Sequence, residues 1–165
     1  MNMQHSKLEN LLKSHHRDAF LWARQCCRFE DELAKDVLQQ SYLKILEGKA
    51  KLQHPEKIKS WLFSIIRFTA IDELRKLGKT ESLEENYDPI IPEEELEERS
   101  YEGIIQLLPL RQREVILAVF YHNLTIEEAA ETLQITLGTA RTHYDRGKKK
   151  LKELILKTET LKQHG

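Results

Sequence analysis

Thr139, Arg141, Thr142, His143, Asp145, Arg146, Lys148 and Lys149 crowd hydrogen-bonding and charged side chains into one short stretch near the C-terminus. Groups of this kind suit a nucleic acid. Hydroxyl, imidazole, carboxylate and guanidinium groups can meet base edges, and ammonium groups can neutralise phosphates. The charge continues through Lys150 and Lys152, so that 141–152 is a basic block. A basic helix face that meets only solvent is the competing reading, because basic runs are often just that.

The elements that must carry these residues tip the balance. Thr125 suits a helix N-cap, and Glu128 three residues on completes a capping box. The helix this predicts, 126–133, holds Ala129 and Ala130, small enough for a partner helix to pass closely. A turn of Gln134, Ile135 and Thr136 follows, and Thr136 can cap a second helix running from Leu137 past Leu154. A short helix, a tight turn and a second, basic helix have the spacing of a helix-turn-helix. Two capped helices at that spacing favour DNA over a solvated face.

The rest of the chain reads as helix as well. Glycine (6) and proline (4) are scarce among the 165 residues, and no strand signal emerges, which predicts an all-α protein. Leu8, Leu11 and Leu12, then Phe20, Ala23 and Cys27, recur at helical spacing. A helix is predicted over 32–46 and ended by Gly48, followed by a polar, lysine-rich connection, 49–59, that holds Pro55. A further helix is predicted over 60–76, with Ser60 as N-cap, basic residues at its end and Gly78 beyond. Trp61 is assigned to the core on its spacing. The order is then a helical domain, 7–77, an acidic flexible linker, 78–100, and a second helical domain, 101–157. The net charge of −1 conceals this segregation: Glu81, Glu84, Glu85, Asp88 and Glu93–Glu95 make the linker acidic while 141–152 is basic.

Several classes of function lack support. Cys26 and Cys27 are adjacent, cannot readily bridge each other and have no second pair to complete a zinc site. His15 and His16 have no carboxylate or cysteine at ligand spacing, so neither a metal nor a cofactor is expected. No phosphate loop or nucleophile motif is present, and no enzyme is expected. The apolar run Trp61–Ile66 is too short to span a bilayer and Met1–Lys13 does not read as a signal peptide. No membrane insertion is expected, and the expected compartment is the cytoplasm.

Three stretches of the C-terminal half resemble a family. Leu108-Pro109-Leu110-Arg111-Gln112-Arg113-Glu114-Val115, Leu124–Ala130 and Gly138-Thr139-Ala140-Arg141-Thr142 resemble region 4 of sigma-70-family transcription factors, in particular the small extracytoplasmic-function (ECF) group. In the N-terminal half, Asp36–Lys44 is similar to the region 2 segment that binds core RNA polymerase. Trp61–Arg67 with Ala70–Arg75 is similar to the promoter-melting segment. The resemblance covers nearly all of 10–155.

It implies an initiation factor that brings core RNA polymerase to promoter DNA. Asp36, Gln39 and Gln40 would contact the polymerase. Lys51, His54, Arg67, Phe68, Asp72 and Arg75 would engage the minus-10 element. The 139–149 residues named above would read the minus-35 element. The resemblance also implies an anti-sigma factor as a partner. It places the acidic linker in the polymerase channel that RNA later occupies, with a plain soluble tether as the alternative from composition.

Four positions depart from the family. Phe68 stands where asparagine is common, and can stack on a base or pack. Gln134 stands in the turn where glycine is frequent, at a cost of about 1 kcal/mol if the backbone is left-handed there. Ala140 replaces valine, and Asp145 replaces an aromatic or histidine; its carboxylate can accept from a cytosine amino group. The rival reading is a helix-turn-helix regulator that does not bind core polymerase.

Overall fold

The computed structural model describes residues 5–79 and 100–164, and all its regular elements are helical. The acidic stretch 80–99, which is most of the expected linker, lies outside the described residues. The chain divides into two compact units.

In the N-terminal unit, α1 (His5–Ser14) and α2 (His16–Cys26) are followed by α3 (Asp31–Leu46) and α4 (Ile58–Lys76). Helices α2, α3 and α4 pack on one another. Their shared core contains Ala19, Trp22, Ala23, Ala34, Val37, Leu62, Phe63 and Ile66, all but sealed from solvent. The indole of Trp22 stacks on the Phe63 ring at 5.1 Å between centroids, and its Nε1 donates to the Phe63 carbonyl at 2.9 Å. One side chain therefore satisfies both the apolar and the polar demands of burial.

Both glycine stops predicted from sequence are present. Gly48 (φ +77) ends α3, with Lys49 N–H bonded to the Lys44 carbonyl at 2.9 Å, and Gly78 (φ +70) ends α4, with Lys79 N–H on the Leu74 carbonyl at 2.8 Å. These six-to-one bonds occupy carbonyls the helix leaves open, and the left-handed residue makes them possible.

Other local expectations need correction. Helix α4 begins at Ile58, fed by a 3₁₀ turn over Pro55–Lys57. Proline's fixed φ starts the helical path early. Ser60 is therefore inside the helix, where its hydroxyl donates to the Lys57 carbonyl at 3.2 Å instead of capping. Trp61 is only partly buried, and the core tryptophan is Trp22.

The α2–α3 turn was not anticipated. Arg28 (φ 57) and Phe29 (φ 62) are consecutive left-handed residues, neither of them glycine. Their neighbours hold them: Phe29 N–H bonds the Arg24 carbonyl at 2.8 Å, and the Arg24 guanidinium lies 5.0 Å from the Phe29 ring centre and 2.6 Å from Asp31 Oδ1. Neither Cys26 nor Cys27 is in a disulfide. Burial, then the Glu30 and Glu73 carboxylates, push the Cys27 thiol up to about 12, so it stays protonated and packs as a small apolar group.

In the C-terminal unit, α5 (Tyr101–Ile105) is capped by Ser100, whose hydroxyl accepts from Gly103 N–H at 3.3 Å. Helix α6 (Leu110–Ile116) widens into a π-type turn over Leu117–Tyr121, and His122 N–H closes it on the Leu117 carbonyl at 3.1 Å. Along the chain, α7 (Ile126–Leu133), which belongs to this unit as far as Ala130, and the long α8 (Leu137–His164) follow. Helix α8 packs against α5 and α6. Ile104, Leu108, Ile116 and Leu154 form the core there, flanked by Leu107, Tyr144, Leu151, Ile155 and Leu161.

Candidate nucleic-acid interface

The helix-turn-helix is built by short-range bonds from its own residues. Thr125 N–H donates to Glu128 Oε1 at 2.9 Å and Glu128 N–H donates to Thr125 Oγ1 at 3.0 Å, a complete capping box. Helix α7 closes with Ile135 N–H on the Ala130 carbonyl at 3.0 Å, and Gln134 is the left-handed residue that allows it (φ 56). Thr136 Oγ1 then accepts from Thr139 N–H at 3.1 Å and donates to Thr139 Oγ1 at 2.8 Å, starting α8. The caps and the turn fall on the residues expected for them.

Gln134 carries a testable cost. Its side chain is exposed and it occupies a conformation glycine tolerates freely. Gln134→Gly is expected to stabilise the protein by about 1 kcal/mol, read as a higher urea midpoint at unchanged slope. An unchanged or lower midpoint would show that the side chain makes good its own strain.

Helix α8 has two faces. Ala140, His143 and Gly147 are buried at i, i+3 and i+7, and the line continues to Leu154. A Cβ built on Gly147 would sit 2.8 Å from Ile116 Cγ1 and 3.3 Å from the Gln112 carbonyl oxygen, so α8 lies against α6 as closely as a helix can. Opposite this seam, Arg141, Asp145 and Lys149 form an exposed ridge at i, i+4 and i+8. Thr142 and Arg146 are exposed beside it. Lys148 places its ammonium 4.6 Å from the centre of the Tyr144 ring, which stacks in turn on Phe120 at 5.6 Å. A broad apolar groove of about 660 Å³ runs along this flank, lined by Phe120, Ile155 and Leu156 and rimmed by Asp145, Lys148, Lys149 and Lys152.

Of the expected reading residues, His143 is the exception. It is 3% exposed and belongs to the packing seam, which removes it from any surface contact. Helical phase explains this: residue 143 is three positions from 140 and four from 147, both buried. Thr139 is partly buried and its hydroxyl takes part in the α8 cap.

The N-terminal unit presents two further surfaces. On α3, Asp36 and Gln39 are exposed and Gln40 partly so, and the same face ends in Leu43, an exposed apolar residue. On α4, Phe68, Asp72 and Arg75 share one exposed face at i, i+4 and i+7, with Arg75 Nη2 3.7 Å from Asp72 Oδ1. Phe68 is 42% exposed, so it does not pack into the core. Arg67 is only 5% exposed and is corrected from the expected DNA-facing set: one position before Phe68, it turns toward the core. Lys51 and His54 are exposed on the connection before α4, with His54 Nδ1 3.4 Å from Glu56 Oε1. Sequence reasoning missed Leu43, Phe120 and the close contact at Gly147. Only the last had a signal, a glycine inside an otherwise helix-favouring run.

An all-helical chain with a capped helix-turn-helix and an exposed polar, mainly basic ridge on its second helix belongs to the class of DNA-reading proteins. Comparison with known proteins narrows the class. Residues 11–80 match the Sigma-70 region 2 family and residues 98–151 match the Sigma-70, region 4 family. The RNA polymerase sigma factor YlaC of Bacillus subtilis is 30% identical over 141 residues, covering 77% of this chain and 80% of its own. SigV of the same organism, also an RNA polymerase sigma factor, is 27% identical over 155 residues, 92% of this chain and 93% of its own. The ECF RNA polymerase sigma factor SigM of Mycobacterium tuberculosis is 27% identical over 150 residues, 89% of this chain and 76% of its own. Among solved structures, the sigma factor RpoE of Bartonella quintana, in complex with the anti-sigma factor NepR, shares the fold at a TM-score of 0.70 and 20% identity, over 90% of this chain and 96% of that one. This chain belongs to the sigma-70 family and is similar to members of its extracytoplasmic-function group. It is a promoter-directing transcription initiation factor. Among the described residues no helix is long and apolar enough to cross a membrane.

Proposed function

We propose that the two helical domains divide the work of initiation. The N-terminal domain, 7–77, captures core RNA polymerase through the α3 face of Asp36, Gln39 and Gln40. It engages minus-10 DNA through Lys51, His54, Phe68, Asp72 and Arg75. The domain over 101–157 reads the minus-35 element through Thr139, Arg141, Thr142, Asp145, Arg146, Lys148 and Lys149. The observation that carries this reading is the exposed ridge of Arg141, Asp145 and Lys149 on a helix started by its own cap and seated on α6. Such a ridge can enter a major groove while flanking cations hold phosphates. On α4, the exposed Phe68 ring and, two turns along the same face, Arg75 supply what an unstacked base needs, a stacking surface and a cation for the backbone. The factor is non-catalytic and acts in the cytoplasm, where its polymerase is. The RpoE structure holds an anti-sigma factor, and we extend that kind of partner to this chain.

Run-off transcription with purified core polymerase on a promoter library tests the division. Initiation should depend on this chain. Arg141→Ala is expected to weaken initiation at the preferred promoters by about 5- to 150-fold, the worth of one base contact. Asp36→Ala should weaken polymerase capture and leave the choice of promoter unchanged. A chain that binds these promoters but not core polymerase would instead be an ordinary helix-turn-helix regulator.

A further inference from the structure

We propose that Asp145 is a specificity-determining residue that selects cytosine at one position of the upstream promoter element. The proposal rests on the reading of α8 as the helix that meets that element, and goes further in naming one residue and one base.

The first observation is the state of the carboxylate. Asp145 is exposed in the middle of the reading ridge, with Arg141 one turn before it and Lys149 one turn after. A surface carboxylate so placed can pair along the helix. Elsewhere in this chain that happens: Glu32 with Lys35, Asp72 with Arg75, Glu73 with Lys76 and Glu114 with Arg111 lie within ion-pair distance. Asp145 makes no ion pair or hydrogen bond with any described residue. The ammonium of Lys148, the other cation within reach along the helix, lies over the Tyr144 ring. The acceptor oxygens of Asp145 thus remain open to whatever lies against the ridge.

The second observation is the company it keeps. The cations on either side draw this face toward phosphate, so the carboxylate is carried against DNA together with them. Facing the duplex, an ionised carboxylate is repelled unless it meets a donor, because it can only accept. Major-groove edges then decide the base. Guanine presents acceptors only, and thymine an acceptor and a methyl group. Adenine sets an acceptor next to its amino donor, which suits an amide better than a carboxylate. Cytosine presents its N4 amino group, and it alone matches. Asp145 therefore acts mostly by rejection, weakening every sequence that lacks the amino group at its position.

The test uses holoenzyme reconstituted from the full chain and core polymerase, with base preferences read from initiation on a library randomised through the upstream element. The unaltered protein should show a cytosine preference at one position, on one strand. Asp145→Ala should erase it, a change of about 5- to 150-fold in discrimination, while raising binding to unrelated duplex DNA. Asp145→Asn should move the preference at that same position from cytosine to adenine, since an amide offers both a donor and an acceptor. Lys149→Ala serves as the control: it should weaken all sequences alike and reduce the salt slope by about one. If the holoenzyme initiates nowhere, the promoter-directing reading itself fails and the role of Asp145 falls with it. If it initiates, but both Asp145 variants keep the unaltered preferences at every position, the role of Asp145 alone is overturned. Circular dichroism of each variant establishes that the helix is intact.

Discussion

Trp22→Ala is expected to lower the stability of the N-terminal unit by about 3–5 kcal/mol, the usual cost of emptying a buried indole site. Trp22 is 1% exposed and lies among residues from α3 and α4 that are themselves sealed, including Val37, Leu62 and Ile66. The loss has two parts. The stacked contact with Phe63 at 5.1 Å disappears, and the cavity left behind cannot collapse easily because helix backbones surround it. The hydrogen bond from Nε1 to the Phe63 carbonyl is lost as well.

Trp22→Phe separates the two parts. It keeps a ring beside Phe63 but no donor, and should cost about 1–2 kcal/mol. Urea unfolding of the whole chain followed by circular dichroism gives both values, and avoids dependence on fluorescence, since Trp61 is the other of the 2 tryptophans. An alanine variant as stable as the original protein would mean that Trp22 does not organise this core. Because Asp36, Gln39 and Phe68 stand on helices built around it, polymerase capture should fall in step with stability.

Gly147→Ala should destabilise the C-terminal unit by about 1–3 kcal/mol, although glycine-to-alanine inside a helix normally helps by about 1 kcal/mol. The sign reverses because the new methyl would sit 2.8 Å from Ile116 Cγ1, and 3.3 Å from both Cβ and the carbonyl oxygen of Gln112. The Gln112 atoms there belong to the framework of α6, which cannot move aside alone, so α8 itself must shift. Gly138 provides the comparison within one helix. A Cβ there would meet nothing within 4 Å, and Gly138→Ala should be neutral to stabilising, by up to about 1 kcal/mol.

In thermal or urea unfolding of the two variants side by side, Gly147→Ala should fall below the unaltered protein and Gly138→Ala should match or exceed it. Equal shifts would mean that α8 leaves room for a methyl group against α6 at position 147. A shift of α8 would also displace Arg141, Asp145 and Lys149 relative to their support. Gly147→Ala should therefore weaken initiation beyond what its loss of stability explains.

These effects mark the boundary between what could be read along the chain and what could not. The capping box of Thr125 and Glu128, the Thr136 cap and the stops at Gly48 and Gly78 all join residues at most five positions apart. Local chemistry of that kind is written in residue type and spacing, so the sequence by itself determined the helix-turn-helix, its turn at Gln134 and the all-helical class. The family likeness extended this reading to both halves of the chain.

Which face of each helix turns inward was another matter. On α4 the run Trp61, Leu62, Phe63, Ser64, Ile65, Ile66 is apolar nearly all round, and its phase is settled only when Trp22 arrives from α2 to cover Phe63. That choice left Trp61 partly exposed, turned Arg67 inward and Phe68 outward. On α8, basic and polar residues occur at almost every position, and the contact with α6 at Gly147 sets the phase that buries His143 and frees Arg141, Asp145 and Lys149. The left-handed pair Arg28 and Phe29 is different: its partners, Arg24 and Asp31, are near neighbours in sequence, but no glycine announces the turn. Elements and their ends depend on neighbours in sequence; the facing of side chains depends on neighbours in space. The DNA-reading helix could therefore be named from the sequence, while only the tertiary structure decided which of its side chains are free to read.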